Sequence, residues 1–312
     1  MVRLIRIAVA ANLFLMTMAV SFLHAQEQFG PHLRFVKGDT QHIDMTLRQT
    51  IDQVVKDAGQ HAVQTTVIGF TIGVDEIDRD GTAAVSVRFE SVGLHAQGPG
   101  GPVDYESASP PGQVPAMASG LAALVGQTYS AKIDAHGSVK QVDGLPAILE
   151  SVLSRLNLPE GVARIAAEKV LRQEFDEQNL TQNLQNLFSP LPDHGASIGE
   201  SWARTAQVKL GLPLTVQSTY TLLSRTAGVA TIEVTGSVAT PHDAAMDLGT
   251  LKLSYDLHGE QNGSLQIVES TGQTQSSEIS QHLSGSATLR GPNTDPQTVP
   301  LTIESTMKIE RK

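Results

Sequence analysis

The sequence predicts a mostly antiparallel β protein of the α+β class, with two related sheet units, curved sheets or half-barrels, and a small group of helices between them in the chain. Three observations carry this. Short stretches of the first half recur in the same order in the second, apolar and polar residues alternate with period two through both halves, and helical periodicity is confined to one central segment.

Residues 1–25 read as an export signal. Arg3 and Arg6 form a basic start, Ile7 to Val20 an apolar core, and Leu23-His24-Ala25 a cleavage site before Gln26. The bulky Leu23 leaves an alternative, because Ile7 to Leu23 is an uncharged run of seventeen residues that an uncleaved membrane anchor could use. The protein is therefore expected in the periplasm or outside the cell, or tethered by its N-terminus.

Residues 26–143 form the first β-rich repeat and residues 193–312 the second. Val36-Lys37-Gly38-Asp39-Thr40 matches Ser197-Ile198-Gly199-Glu200-Ser201, and Gly81-Thr82-Ala83-Ala84-Val85-Ser86-Val87 matches Gly228-Val229-Ala230-Thr231-Ile232-Glu233-Val234. A third match sets Gly137-Ser138 against Gly263-Ser264, with Tyr129 and Tyr255 eight residues before each glycine. Ile68, Phe70, Ile72 and Val74 alternate ahead of the Gly81 stretch, as Val216, Ser218, Tyr220 and Leu222 do ahead of Gly228, so each unit predicts a hairpin. Both Gly-Ser pairs are expected as hairpin turns, and Leu301, Ile303, Met307 and Ile309 as a terminal strand.

Between the repeats, residues 144–192 predict helices. Ile148, Leu149, Val152, Leu153 and Leu156 share a face after Pro146; Pro159 opens a second helix and Leu180, Leu184 and Leu187 mark a third, before Ser189-Pro190-Leu191-Pro192. The repeats differ in length, 48 positions from Gly81 to Tyr129 against 27 from Gly228 to Tyr255. The excess is a Pro/Gly-rich insertion at residues 93–118, which composition reads as a mobile spacer loop. One composite domain over residues 33–312 is expected.

Composition excludes several classes. With residues 1–25 removed, Arg3 and Arg6 go and 20 basic residues face 32 acidic ones, without a basic cluster, so nucleic acid is not an expected partner. There are no cysteines, hence no disulfides, no thiolate metal sites and no lipidated N-terminal cysteine. Aromatic residues make up 4% of the chain, too few for extended stacking surfaces.

Candidate chemistry is sparse. Glu76-Ile77-Asp78-Arg79-Asp80-Gly81 opens like a calcium loop but has Val87 where the bidentate glutamate is needed, so it reads as a hairpin turn. His32, His42, His61, His95, His136, His194, His242, His258 and His282 are scattered without zinc-ligand spacing. Gly199-Glu200-Ser201-Trp202-Ala203 lacks the second glycine of a nucleophile elbow, and the first repeat has Gly38-Asp39-Thr40 at the same point, which favours a repeated turn over a catalytic Ser201. No catalytic, cofactor-binding or metal-binding residue is assigned, and no cofactor is expected.

At the Gly-Asp/Glu-Thr/Ser turns, the two alternating hairpins and the junction from Phe188-Ser189-Pro190-Leu191-Pro192-Asp193 to Gly199-Glu200-Ser201-Trp202, the chain resembles a family of exported bacterial domains of unknown function. More loosely it is similar to the half-barrels of periplasmic lipoprotein carriers, which implies a concave sheet face able to hold acyl chains. The expected function is a non-catalytic envelope protein binding a hydrophobic small molecule or an envelope protein on a curved sheet. The alternatives are a structural or assembly component without a small ligand, and a hydrolase with a dispersed site. The resemblance supplies no catalytic residues.

Overall fold

The structure, a computed structural model, describes residues 29–30, 32–55, 58–110, 112–155, 161, 164–165, 168, 171–172, 181, 191–210, 212–242, 245–247, 252–291 and 295–312. The export signal at 1–25 lies outside the described residues, and so does most of the second and third expected helices.

The strands are β1 (Thr40–Val55), β2 (Ala58–Ile77), β3 (Ala83–Gln97), β4 (Val103–Glu106), β5 (Thr128–Ile133), β6 (Val139–Asp143), β7 (Ser201–Leu210), β8 (Leu212–Thr226), β9 (Val229–Ala239), β10 (Ala245–Asp247), β11 (Lys252–Val268), β12 (Gln273–Arg290) and β13 (Gln297–Arg311). All join one antiparallel sheet in the order β6-β5-β3-β2-β1-β13-β12-β11-β9-β8-β7, with β4 added to β3 and β10 to β11. Mostly antiparallel β is therefore observed. In place of two separate curved sheets, the units fuse into a single sheet where β1 pairs with β13.

The duplication is visible in the backbone. Gly38 N–H donates to Val74 O at 2.8 Å and Val74 N–H to Asp39 O at 2.9 Å; in the second unit Gly199 donates to Leu222 O at 2.7 Å and Leu222 to Glu200 O at 3.0 Å. Gly38 and Gly199 both sit at positive φ, 87° and 85°, where a side chain would be strained. Buried Val74 pairs with Val85 and buried Leu222 with Ile232, so the matched hairpins align at their cores.

The third match fails. Gly137 turns between β5 and β6, but Gly263 lies inside β11, opposite Ile279 of β12. A Cβ on Gly263 would collide with the Glu278 carbonyl, and one on Gly259 or Gly285 with those of His282 and Asp256. These glycines mark a tight bend in the sheet rather than a turn. Pairing gives the correct equivalence: Ala83 faces Ile133 and Ala230 faces Ile267, both isoleucines fully buried.

One end of the sheet is rolled shut. Leu33 N–H donates to Ala135 O after β5, and the adjacent Arg34 N–H to Thr271 O after β11, at 2.7 and 2.9 Å. Six strand spacings separate β5 from β11, about 29 Å on a flat sheet, so two neighbouring residues can reach both turns only if the sheet curls. Phe29 and Ala196 exchange backbone hydrogen bonds at 2.9 Å across the same end. Phe29, Leu33, Val74, Val85, Ile133, Leu222, Ile232 and Ile267 form the main core there.

The insertion is more ordered than its composition predicts. Residues 103–106 form β4, and a 3-10 turn (Ala116–Ala118) runs into the short helix α1 (Ser119–Ala122). Tyr105 and Ala118 are buried against Val92 and Leu94. Helical structure is thus not confined to residues 144–192. Helix α2 (Leu145–Arg155) begins where the sequence places it, and Ile148 and Val152 pack with Ala123, Leu124, Phe89 and Tyr129. Both helices cover the β3–β5 flank of the inner face.

Candidate functional site

Period-two alternation sends opposite sets of side chains to the two faces of this sheet. The inward set is continuous with the rolled core. It comprises Met45, Leu47, Gln49 and Ile51 on β1, Gln64, Thr66 and Ile68 on β2, Ile303, Ser305 and Met307 on β13, Ile279, Gln281 and Leu283 on β12, and Leu257, Gln261 and Leu265 on β11. The outward set carries the charges: Asp44, Arg48 and Asp52 on β1, Glu304 and Lys308 on β13, Glu278 and His282 on β12. Along β2, β1, β13, β12, β11, β9 and β8 the described inward positions hold two arginines, both at the closed end and both engaged: Arg311 donates to Gln273 Oε1 at 2.8 Å, and Arg225, opposite buried Ala230, donates to Glu269 at 2.7 Å.

Burial along the inner face is graded. Ile232, Val234, Val238 and Leu257 on the flanking strands are buried, as are Leu283 of β12 and Leu301 and Ile309 nearer the ends of β13, whereas Met45, Leu47, Gln49, Ile51, Ile279, Ile303 and Met307 toward the middle of β1, β12 and β13 are half-buried. An apolar surface bounded by well-packed walls remains partly accessible in the middle.

One row of this surface is polar. Register aligns Gln64, Gln49, Ser305, Gln281, Gln261, Gly236 and Ser218 across seven adjacent strands. Gln261 Nε2 donates to Ser218 Oγ at 2.7 Å, Gln281 Nε2 to Gln261 Oε1 at 3.1 Å, and Ser305 Oγ points to Gln281 Oε1 at 3.5 Å. Gln64 Nε2 donates to Thr66 Oγ1 at 3.1 Å. The Gln49 amide, in the middle of the row, has no hydrogen-bond partner among the described residues. Nearer the open end, Gln53 Nε2 donates to Gln60 Oε1 at 2.7 Å.

The outer face has a solvent-open depression of about 430 Å³ lined by Arg48, Thr50, Glu260, His282, Glu304 and Thr306. His282 lies 3.5 Å from Glu304, and both side chains are well exposed. This is a solvated cross-strand ladder of mixed charge.

The motifs weighed in the sequence fall elsewhere. Ser201 Oγ lies 2.8 Å from Thr221 Oγ1, a cross-strand hydroxyl pair with no base bonded to it among the described residues. Asp80 accepts the Thr82 N–H at 3.1 Å, which holds its carboxyl below the usual range and closes the β2–β3 turn. His32 and His136 meet edge to face, with ring centroids 4.8 Å apart. His95 is held between Asp104 and Glu106 at 2.7 Å each, and the Glu106 contact is the main cause of its raised pKa. Among the described residues no three His, Asp or Glu side chains are grouped to hold a metal ion, and no helix is long and apolar enough to cross a membrane.

The glutamine row went unread in the sequence. Its signal was there, because Gln49 interrupts Ile43-x-Met45-x-Leu47-x-x-x-Ile51 and Gln281 interrupts Ile279-x-x-x-Leu283, each at the parity of an apolar position.

A model of the family of unknown function DUF6263 matches residues 80–274, most of the chain. The chain belongs to this family. The matched range runs from the β2–β3 turn of the first unit to the start of β12, so DUF6263 spans the helical segment and both copies of the hairpin turn. No curated protein matches the chain in sequence. Among solved structures it is similar to lipovitellin, in a structure titled for lipid-protein interactions, at 11% identity and a TM-score of 0.49 over 89% of this chain. The chain spans 25% of the length of that lipovitellin chain. It is also similar to an outer membrane channel from Pseudomonas putida F1, at 7% identity and a TM-score of 0.22, over 90% of this chain and 97% of the channel. At these scores the functional reading of this DUF6263 chain rests on its own geometry.

Proposed function

We propose that this chain is an exported, non-catalytic binding protein that holds an extended hydrophobic small molecule against the inner face of its rolled sheet. The observation that carries this reading is the charge-free strip of half-buried Met45, Leu47, Ile51, Ile279, Ile303 and Met307, walled by buried flanks and closed at one end by the Phe29–Leu33 core. A purely structural sheet gains by filling such a face, since each buried aliphatic side chain contributes about 1.5–3 kcal/mol. Partly open apolar surface inside a concave wall is the usual character of a ligand site. Flexible methionines at its centre suit an irregular apolar guest.

The test is uptake of N-phenyl-1-naphthylamine, a neutral apolar fluorophore, by the purified protein, together with native mass spectrometry of gently extracted material. Saturable uptake that is lost in Leu47→Asp and Met307→Asp variants supports the carrier. Absence of both uptake and co-purifying ligand favours the scaffold alternative.

A further inference from the structure

We infer that the glutamine row makes the inner face selective for an uncharged amphiphile, one whose neutral hydroxyl, ester or amide group lies between apolar segments, over a fatty-acid anion of the same length. This deepens the carrier reading above and rests on it.

The row crosses the apolar strip at one level. Leu47, Met45 and Ile68 lie on its closed side, with Met307 and Ile279; Ile51, Ile303 and Leu283 lie on its open side, before the Gln53–Gln60 pair. A ligand lying along the strands therefore meets apolar surface, one band of neutral donors and acceptors, and apolar surface again. At the Ser218 end the band is saturated, because Gln261 and Ser218 are each 6% exposed and bonded to one another. At the central end it is not: Gln49 is half-buried with both amide groups unused among the described residues, and Gln64 Oε1 and Ser305 lie beside it in register. A buried polar group left without a partner is costly, so a guest that bonds Gln49 gains where a plain hydrocarbon does not.

Charge decides between guests. An ionised carboxylate beside Gln49 would be desolvated without an unengaged cation among the described residues to meet it: Arg311 and Arg225 are at the closed end, engaged with Gln273 and Glu269, and the row's own cation, Arg204 opposite Ser218, stands at its far end. Arg204, on the edge strand β7, holds Asp193 at 2.8 Å and the Leu191 carbonyl at 2.6 Å. A neutral glyceryl or amide group meets no such penalty and can both donate to and accept from Gln49.

The experiment is displacement of N-phenyl-1-naphthylamine by 1-monooleoylglycerol and by oleate at pH 8. Monooleoylglycerol is expected to compete at least ten-fold more strongly, the scale of one hydrogen bond to an amide. Gln49→Leu/Gln281→Leu should lower its competition about ten-fold relative to the variant's own affinity for the fluorophore, and Gln49→Lys should raise that of oleate. Equal competition by the two lipids in the natural protein, or an unchanged double variant that still takes up the fluorophore, overturns the selectivity alone. No uptake of the fluorophore at all overturns the carrier reading and the selectivity with it.

Discussion

Gln261 donates to Ser218 at 2.7 Å across an intervening strand. The residue between them in register is Gly236 of β9, and a Cβ there would collide with the Gln217 carbonyl of β8. The glycine lets the sheet bend sharply and leaves room for the amide to pass over it. Gly236→Ala is expected to destabilise the fold by about 1–3 kcal/mol, the usual cost of overpacking. Urea denaturation checks this, with Gly112→Ala, where a Cβ meets nothing within 4 Å, as the unaffected control.

Arg225 at the end of β8 grips Glu269 in the β11–β12 turn through two hydrogen bonds of 2.9 and 2.7 Å. The guanidinium holds the Glu269 carboxyl below its ordinary value, against partial desolvation. A depressed folded pKa adds stability that is present above the unfolded pKa and lost as pH falls through the folded one. Glu269→Gln should therefore cost about 1–2 kcal/mol at neutral pH, the scale of a charge-assisted pair. The difference from the natural protein should vanish on acidification below the normal carboxylate range, as thermal melts at graded pH would record.

His95 behaves with the opposite sign. Hydrogen bonds to Glu106 and then Asp104 raise its pKa, so its contribution is complete below the unfolded value and disappears as pH rises through the folded one. Imidazole NMR should show His95 titrating above the ordinary value, and Glu106→Gln should bring it down. Hydrogen-exchange protection of β4 should fall over the same pH interval.

Ile133 and Ile267 occupy equivalent positions in the two units, both are 0% exposed, and both belong to the rolled core. Ile→Val at either site should cost about 0.5–1.5 kcal/mol. A single cooperative transition is expected in both variants and in the double variant, since one core serves both units. Two separable transitions by calorimetry would show independent units instead.

The matched hairpins were legible because Ala83-Val85-Val87 and Ala230-Ile232-Val234 place apolar residues at every inward position, so periodicity alone assigns strand and face. Strand β1 was harder to read, because Gln49 and Gln53 break an inward series of Ile43, Met45, Leu47 and Ile51 that otherwise alternates with polar residues. Gly263 was misread because glycine signals a turn and a bent strand alike, and only the Glu278 carbonyl pressed against it distinguishes the two. The glutamine row depends on register between residues as far apart as Gln49 and Ser305, information that local periodicity does not hold.

The seam between β1 and β13 also sets an order in time. Ile43 pairs with Arg311, about 270 positions later, and closing so long a loop is entropically slow. Each hairpin arm can form from local contacts as the chain emerges, but the middle of the inner face, where Leu47 and Gln49 meet Met307 and Ser305, cannot exist until β13 docks. On the carrier reading, the surface that would hold a guest is completed only by that last pairing, and a chain cut short before β13 would lack it.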